Sequence, residues 1–241
     1  MDYSQFRSLL TVSFEKNRLK ELSEQRIQQF YAFGEYLLEV NQVTNLTAIR
    51  NMPDVITKHF VDSLLVADLI PQNARVLDLG CGAGFPSVPL AIVRPDLSIV
   101  ALDSTAKKIA FVNDAAKRIG LSNLTAVSGR AEDPKVIKEL GLFDIVTSRA
   151  VAALQILAEL CLPYVKLGGA FLPLKAAKAD EELLAASNAI AFLGGSEPVS
   201  HYTALVTDTA EEPRCIFEIQ KSKTTPKGYP RAYAAILKKP L

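Results

Sequence analysis

Apolar residues follow two rhythms along this chain, and the rhythm changes near residue 70. Before it, Ile27, Phe30, Tyr31, Gly34, Leu37 and Leu38 recur at spacings of three and four, the stripe of a helix that packs on one face. Ser23 stands where such a helix takes its N-cap. Pro53 suits the first turn of another helix, carrying Val55, Ile56, Phe60 and Leu64. Residues 1–70 are therefore expected to form a helical extension packed on a main domain, 71–241, the two making one structural unit. From residue 74, short apolar runs alternate with helical patterns. Strands are expected at 75–79, 98–102, 124–127 and 143–147, and at 170–174 after a turn at Gly168–Gly169. Helices fall at 151–165 and 179–193. Two last strands, near 198–206 and 214–221, have a short connection and pair antiparallel. The pattern predicts an α/β fold: a mostly parallel seven-stranded sheet with helices on both faces.

The first strand runs straight into Gly80-Cys81-Gly82-Ala83-Gly84-Phe85-Pro86. A buried strand followed by glycines at alternate positions lets a ligand lie against the peptide groups, at the N-terminus of a helix opening near Pro86. The loop reads G-x-G-x-G and not the G-x-G-x-x-G of dinucleotide folds, and suits a compact zwitterion better than a diphosphate. Asp78 can accept from a ligand ammonium or from the loop amides. Asp103, at the tip of the second strand, is placed for both hydroxyls of a ribose. A polar turn after the third strand, Ser128 to Asp133, would lie beside an adenine. In this order and spacing, the loop with Gly80 and Gly82, Asp103 and the turn predict an S-adenosylmethionine site of a Rossmann-like class I methyltransferase.

Composition narrows the field. Half of the 241 residues are hydrophobic and the formal net charge is +1, so there is no global signature for nucleic acid. Residues 219–241 are a local exception, holding Lys221, Lys223, Lys227, Arg231, Lys238 and Lys239 and no acid. They form either a solvated tail or a phosphate-contacting arm. Cys81, Cys161 and Cys215 share no disulfide or metal spacing and suit a reducing cytoplasm, and no metal is expected. Asp2 and Arg7 interrupt any secretory leader, and no apolar stretch is long enough for a membrane span.

Several motifs go further. Asn45-Leu46-Thr47, His59-x-x-Asp62-Ser63, the loop through Phe85-Pro86, Leu102-Asp103-Ser104, Thr147-Ser148-Arg149-Ala150 and a final Pro240-Leu241 together resemble the 16S ribosomal RNA guanine-N7 methyltransferases, also called glucose-inhibited division protein B. The resemblance spans residues 41–241. It implies methyl transfer from S-adenosylmethionine to N7 of a guanine in a loop of small-subunit rRNA, as naked RNA or in a ribosomal particle. It carries cofactor contacts onto Gly80, Phe85, Ala131, Glu132 and Arg149. Ser87, Ala176 and the tail from Arg231 to Ala235 depart from the family's usual residues.

The residues themselves fit N7 chemistry. Guanine N7 has an in-plane lone pair and no proton at neutral pH, so positioning suffices and no catalytic acid, base or nucleophile is expected. An exocyclic-amine target would want Asn or Asp followed by two prolines and an aromatic where this chain has Ser148-Arg149-Ala150. A pyrimidine-carbon target would want a nucleophilic cysteine, whereas Cys161 reads as apolar filling. Arg149 could meet the cofactor carboxylate, an RNA phosphate or guanine O6, or bridge to Asp144 or Glu132. His59 and Asp62 share a helix face. They form an interhelix pair or close the mouth of the site with Asn45. A methyltransferase with a small-molecule or protein acceptor, and a non-catalytic RNA-binding assembly factor, are the alternatives.

Overall fold

A computed structural model describes all 241 residues. Its seven strands lie in the order β3-β2-β1-β4-β5-β7-β6. These are β1 (Arg75–Leu79), β2 (Ser98–Asp103), β3 (Leu124–Ser128), β4 (Phe143–Arg149), β5 (Val165–Lys175), β6 (Val199–Val206) and β7 (Glu211–Gln220). The first five pair parallel, and β7 runs antiparallel to both β5 and β6. The chain order reverses at β1, which pairs β2 on one side and β4 on the other. That switch point is where open α/β sheets leave a ligand crevice at the strands' carboxyl ends. No helix is long and apolar enough to cross a membrane.

Alternate residues of the strands feed two hydrophobic layers, because strand side chains alternate between faces. Val76 joins Ile99, Ile145 and Leu172 beneath α1 (Tyr3–Lys16), α2 (Glu24–Asn41), α5 (Ser87–Val93) and α6 (Ala106–Arg118). Leu77 joins Val146 and Phe171 on the other face, beneath α8 (Leu154–Cys161), α9 (Ala179–Phe192) and α10 (Tyr233–Lys238). One cluster contains both Phe6, Phe30 and Phe33 of the first helices and Val76 and Ile99 of the sheet. Ser23 caps α2 by accepting from the Arg26 amide. The segment opened near Pro53 is composite: α3 (Met52–Asp54) runs through a π-helix (Val55–Val61) into α4 (Asp62–Leu64). A short α7 (Pro134–Leu140) follows β3.

Four boundaries differ from the sequence reading. The helix after the glycine loop begins at Ser87, with Pro86 as its cap. The helix expected at 151–165 begins only at Leu154, because Ala150 takes φ +56° and the chain loops to Ala153. Gly168–Gly169 do not end at a turn before β5; they lie within it, where a Cβ on Gly169 would stand 2.4 Å from the Asp144 carbonyl oxygen. The basic tail ends in α10, whose Ile236 is fully buried. The apolar face of that helix was hidden among lysines in a short segment.

Candidate functional site

Residues from the ends of β1, β2 and β3 line a cavity of about 200 Å³. Gly80, Leu102, Asp103, Ala131 and Glu132 form much of its wall, and Tyr233 of α10 closes one side. Of the residues expected to hold a cofactor, Gly80, Asp103, Ala131 and Glu132 meet here, while Gly82, Phe85 and Arg149 do not line it. Tyr233 was missed with the helix that carries it.

Asp103 organises the loop as well as the cavity. Its Oδ2 accepts from the Gly82 amide at 3.0 Å and its Oδ1 from the Thr105 amide at 2.8 Å. The preceding Leu102 carbonyl accepts from the Gly80 and Cys81 amides. The loop is thus tied to the tip of β2. Gly80 takes φ +78°, and the Val151 side chain presses so close that a Cβ there would meet its Cγ2 at 2.3 Å. Gly82 takes φ +57° with open space above it.

Asp78 is fully buried; it accepts from the Ser87 amide at 3.0 Å, which fastens α5 to β1. Its second oxygen has no partner. Burial pushes its carboxyl from 3.8 up to about 7. A carboxyl with a raised folded pKa is comfortable protonated, so its contribution to stability is present below about 3.8 and is lost as pH rises to about 7. Asp78→Asn keeps the acceptor without the charge. The variant should gain stability relative to the parent as pH rises across that window, which paired urea titrations at several pH values would read. A difference independent of pH would show that the charge is solvated.

A second assembly lies beside the first. Arg149, at the end of β4, donates to Asp62 Oδ2 at 2.7 Å and to the Lys58 carbonyl at 2.9 Å. It does not bridge to Asp144 or Glu132. Asp62 is shared: its Oδ1 accepts from Arg214 of β7 at 2.6 Å. His59 Nδ1 lies 3.2 Å from the Arg149 guanidinium and its Nε2 2.8 Å from Thr47 Oγ1. Burial, with the Arg149 charge second, pushes its pKa down to about 3, so the imidazole is neutral. Arg149 donates to Nδ1, and the ring proton on Nε2 is donated to Thr47. The imidazole stacks on Phe85 with centroids 4.2 Å apart. Phe85 is thereby a core residue beneath the site, packed also on Phe33. Lys58 and His59 lie within the π-helix and Asp62 directly follows it.

Asp62, Arg149 and Arg214 border a second cavity of about 470 Å³, together with Lys175 and Glu182. Val151 belongs to the walls of both cavities. Two compartments therefore meet across one side chain at the sheet's switch point. No group of three or more His, Cys, Asp or Glu side chains is arranged to hold a metal ion.

The lysines of the tail divide. Lys221 is buried, donating to the Leu193 carbonyl and to Thr225 Oγ1, and burial pushes its ammonium down to about 8. Arg231 is locked to the fully buried Glu159. Lys175 likewise is buried against Glu182. None of these three is a free phosphate contact; Lys223, Lys227, Lys238 and Lys239 remain exposed.

Residues 26–208 match the family described as rRNA small subunit methyltransferase G. A protein named Ribosomal RNA small subunit methyltransferase G from Clostridium beijerinckii is 41% identical over 239 residues, covering 98% of this chain and 99% of its own. Its namesake from Lachnoclostridium phytofermentans is 45% identical over 224 residues, 92% of each chain. Among solved structures, an O-methyltransferase from Bacillus cereus in complex with SAH superposes with a TM-score of 0.55 at 17% identity, over 91% of this chain and all of that one. Precorrin-6y C5,15-methyltransferase from Geobacter metallireducens gives 0.51 at 19% identity, over 67% and 87%. These two likenesses place the fold among Rossmann-like class I methyltransferases.

Proposed function

For a chain that belongs to the rRNA small subunit methyltransferase G family, we propose that the two cavities divided by Val151 are the cofactor and acceptor compartments of an enzyme that transfers a methyl group from S-adenosylmethionine to N7 of a guanine in small-subunit rRNA. The observation that carries this reading is the shared wall: in-line transfer needs donor and acceptor compartments that adjoin, and these do. The bound cofactor supplies an already activated methyl on a sulfonium.

The first cavity fits such a group. Asp103 has the acceptor chemistry a ribose requires, and Leu102, Ala131 and Leu160 offer apolar surface to a purine. Gly80 lets the ligand approach the backbone. Gly82, Phe85 and Arg149 act from outside the cavity, through Asp103, His59 and Asp62 respectively. The cavity is smaller than the roughly 300–1,000 Å³ usual for ligand pockets, and Val151 is the side chain that must withdraw from Gly80 to open it. Because N7 carries no proton, the chain need only align it and exclude water, in keeping with a second compartment in which Asp62, Arg149 and Arg214 are already paired with one another. The exposed Lys223, Lys227, Lys238 and Lys239 would neutralise phosphates of a splayed RNA loop. The same proposal treats residues 1–70 as an extension of the 71–241 domain and places the enzyme with its substrate in the cytoplasm.

Mass mapping of small-subunit rRNA from cells with and without the protein tests the reaction: one guanine should lose its N7 methyl in the deletion and regain it with purified enzyme and cofactor. Asp103→Ala should weaken cofactor binding by about 1.5–3 kcal/mol, the worth of a charge-assisted hydrogen bond, as read by calorimetry. Unchanged affinity in the folded variant would remove the ribose assignment.

A further inference from the structure

We propose that Lys175 and Glu182 read the identity of the acceptor base, the ammonium meeting guanine O6 and the carboxylate meeting N1–H and the exocyclic amine. This inference rests on the second cavity being the acceptor compartment.

The two side chains stand together on its wall. Lys175, the last residue of β5, is 9% exposed, and its Nζ lies 2.7 Å from Glu182 Oε2 on α9. Nζ also donates to the Ala152 carbonyl at 2.8 Å. An ammonium has three donors, so one remains. Glu182 Oε2 accepts from both Lys175 and the Leu154 amide, and Oε1 has no partner within the chain. The pair thus leaves one donor and one acceptor side by side, each held in place by bonds to the loop that follows β4.

The order along the wall matters. Ala152 adjoins Val151, the residue common to both cavities. Lys175 comes next, bonded to Ala152, and Glu182 lies beyond it, bonded to Lys175. Guanine presents its edge atoms in the corresponding order: N7, then the acceptor O6, then the donors N1–H and N2–H₂. With N7 turned to Val151 and the cofactor compartment, O6 falls to the ammonium and the two donors to the carboxylate. Adenine in the same pose sets its amine against the ammonium and its N1 lone pair against the carboxylate, leaving buried polar groups unpaired. The pair is neutral overall, which suits a base edge better than a phosphate.

The test uses the full-length enzyme and small-subunit rRNA ligated to carry guanosine, inosine or adenosine at the methylated position. Inosine keeps O6, N7 and N1–H and lacks only the amine. The parent enzyme should show a kcat/KM on inosine roughly tenfold to a hundredfold below that on guanosine, the scale of one base-edge recognition pair, and no transfer to adenosine. Glu182→Gln keeps an acceptor for the Leu154 amide. It should lose activity on guanosine far more than on inosine, narrowing the ratio, while cofactor affinity by calorimetry stays put. A variant that slows both RNAs by the same factor overturns the reading role, and so does a parent enzyme indifferent to inosine, whatever the variant's folding. If the parent transfers no methyl to guanine N7, the acceptor compartment itself is misassigned and the inference falls with it.

Discussion

Replacing Asp62 by alanine should lower the unfolding free energy by about 3–5 kcal/mol, because it leaves Arg149 without a carboxylate partner and Arg214 with Glu212 alone, and both arginines have little access to water. Asp62, Arg149 and Arg214 have side chains only 11%, 13% and 16% exposed, and the carboxylate binds one guanidinium with each oxygen. The loss is larger than for a surface pair, whose removal typically changes stability by about 0–1 kcal/mol. For a chain of this size it corresponds to a fall in melting temperature of roughly 6–20 °C. Asp62→Asn, which keeps one acceptor oxygen but sets an NH2 donor against the other guanidinium and carries no charge, should fall between. Denaturant unfolding of the three proteins reads the series. A change below about 1 kcal/mol in the alanine variant would mean that water reaches the cluster and that it does not fix Arg149.

A comparable effect is expected at the other end of the chain. Glu159 of α8 is fully buried, and Arg231 alone satisfies it, through its backbone amide at 2.9 Å and its guanidinium at 2.6 and 2.7 Å. Arg231→Ala leaves a buried carboxylate without its cation. The cost should be about 3 kcal/mol, the lower part of the range for breaking such a pair, since a quarter of the Arg231 side chain is in water. The loss should be largely reversed by adding Glu159→Leu, since no buried charge is then left without its partner. Failure of the second substitution to restore stability would show that Arg231 acts by packing on Tyr229 rather than through charge.

These two ion clusters show where a one-dimensional reading stops. The strands were legible because each buried strand is a short apolar run bounded by turn residues. β1 falls on its expected bounds, and the tail hairpin of β6 and β7 pairs antiparallel as its short connection requires. Gly80 and Asp103 were legible because the loop and the tip of the neighbouring strand are adjacent in any fold of this topology. Asp62 lies 87 residues from Arg149 and 152 from Arg214; no local pattern records that meeting. The sequence pairs His59 with Asp62 on one face, but the burial and the Arg149 charge that keep the imidazole neutral come from packing. The glycines at 168 and 169 were read as a turn before the fifth strand, whereas within β5 Gly168 takes φ +81° and Gly169 leaves room for the Asp144 carbonyl.

Asn17 closes α1 with an unusual duty. Its carboxamide donates to the Val206 carbonyl at 2.9 Å and accepts from the Val206 amide at 2.8 Å, pairing with the outermost strand as another strand would. β6 is one of the two borders of the sheet, β3 being the other, and unpaired strand borders recruit other chains. The N-terminal helix therefore acts as a guard on colloidal stability as well as a layer of core. A chain shortened past Asn17 would expose a continuous border ending in Val206, and its shelf life in concentrated solution, not its melting temperature alone, is where the missing segment would be felt.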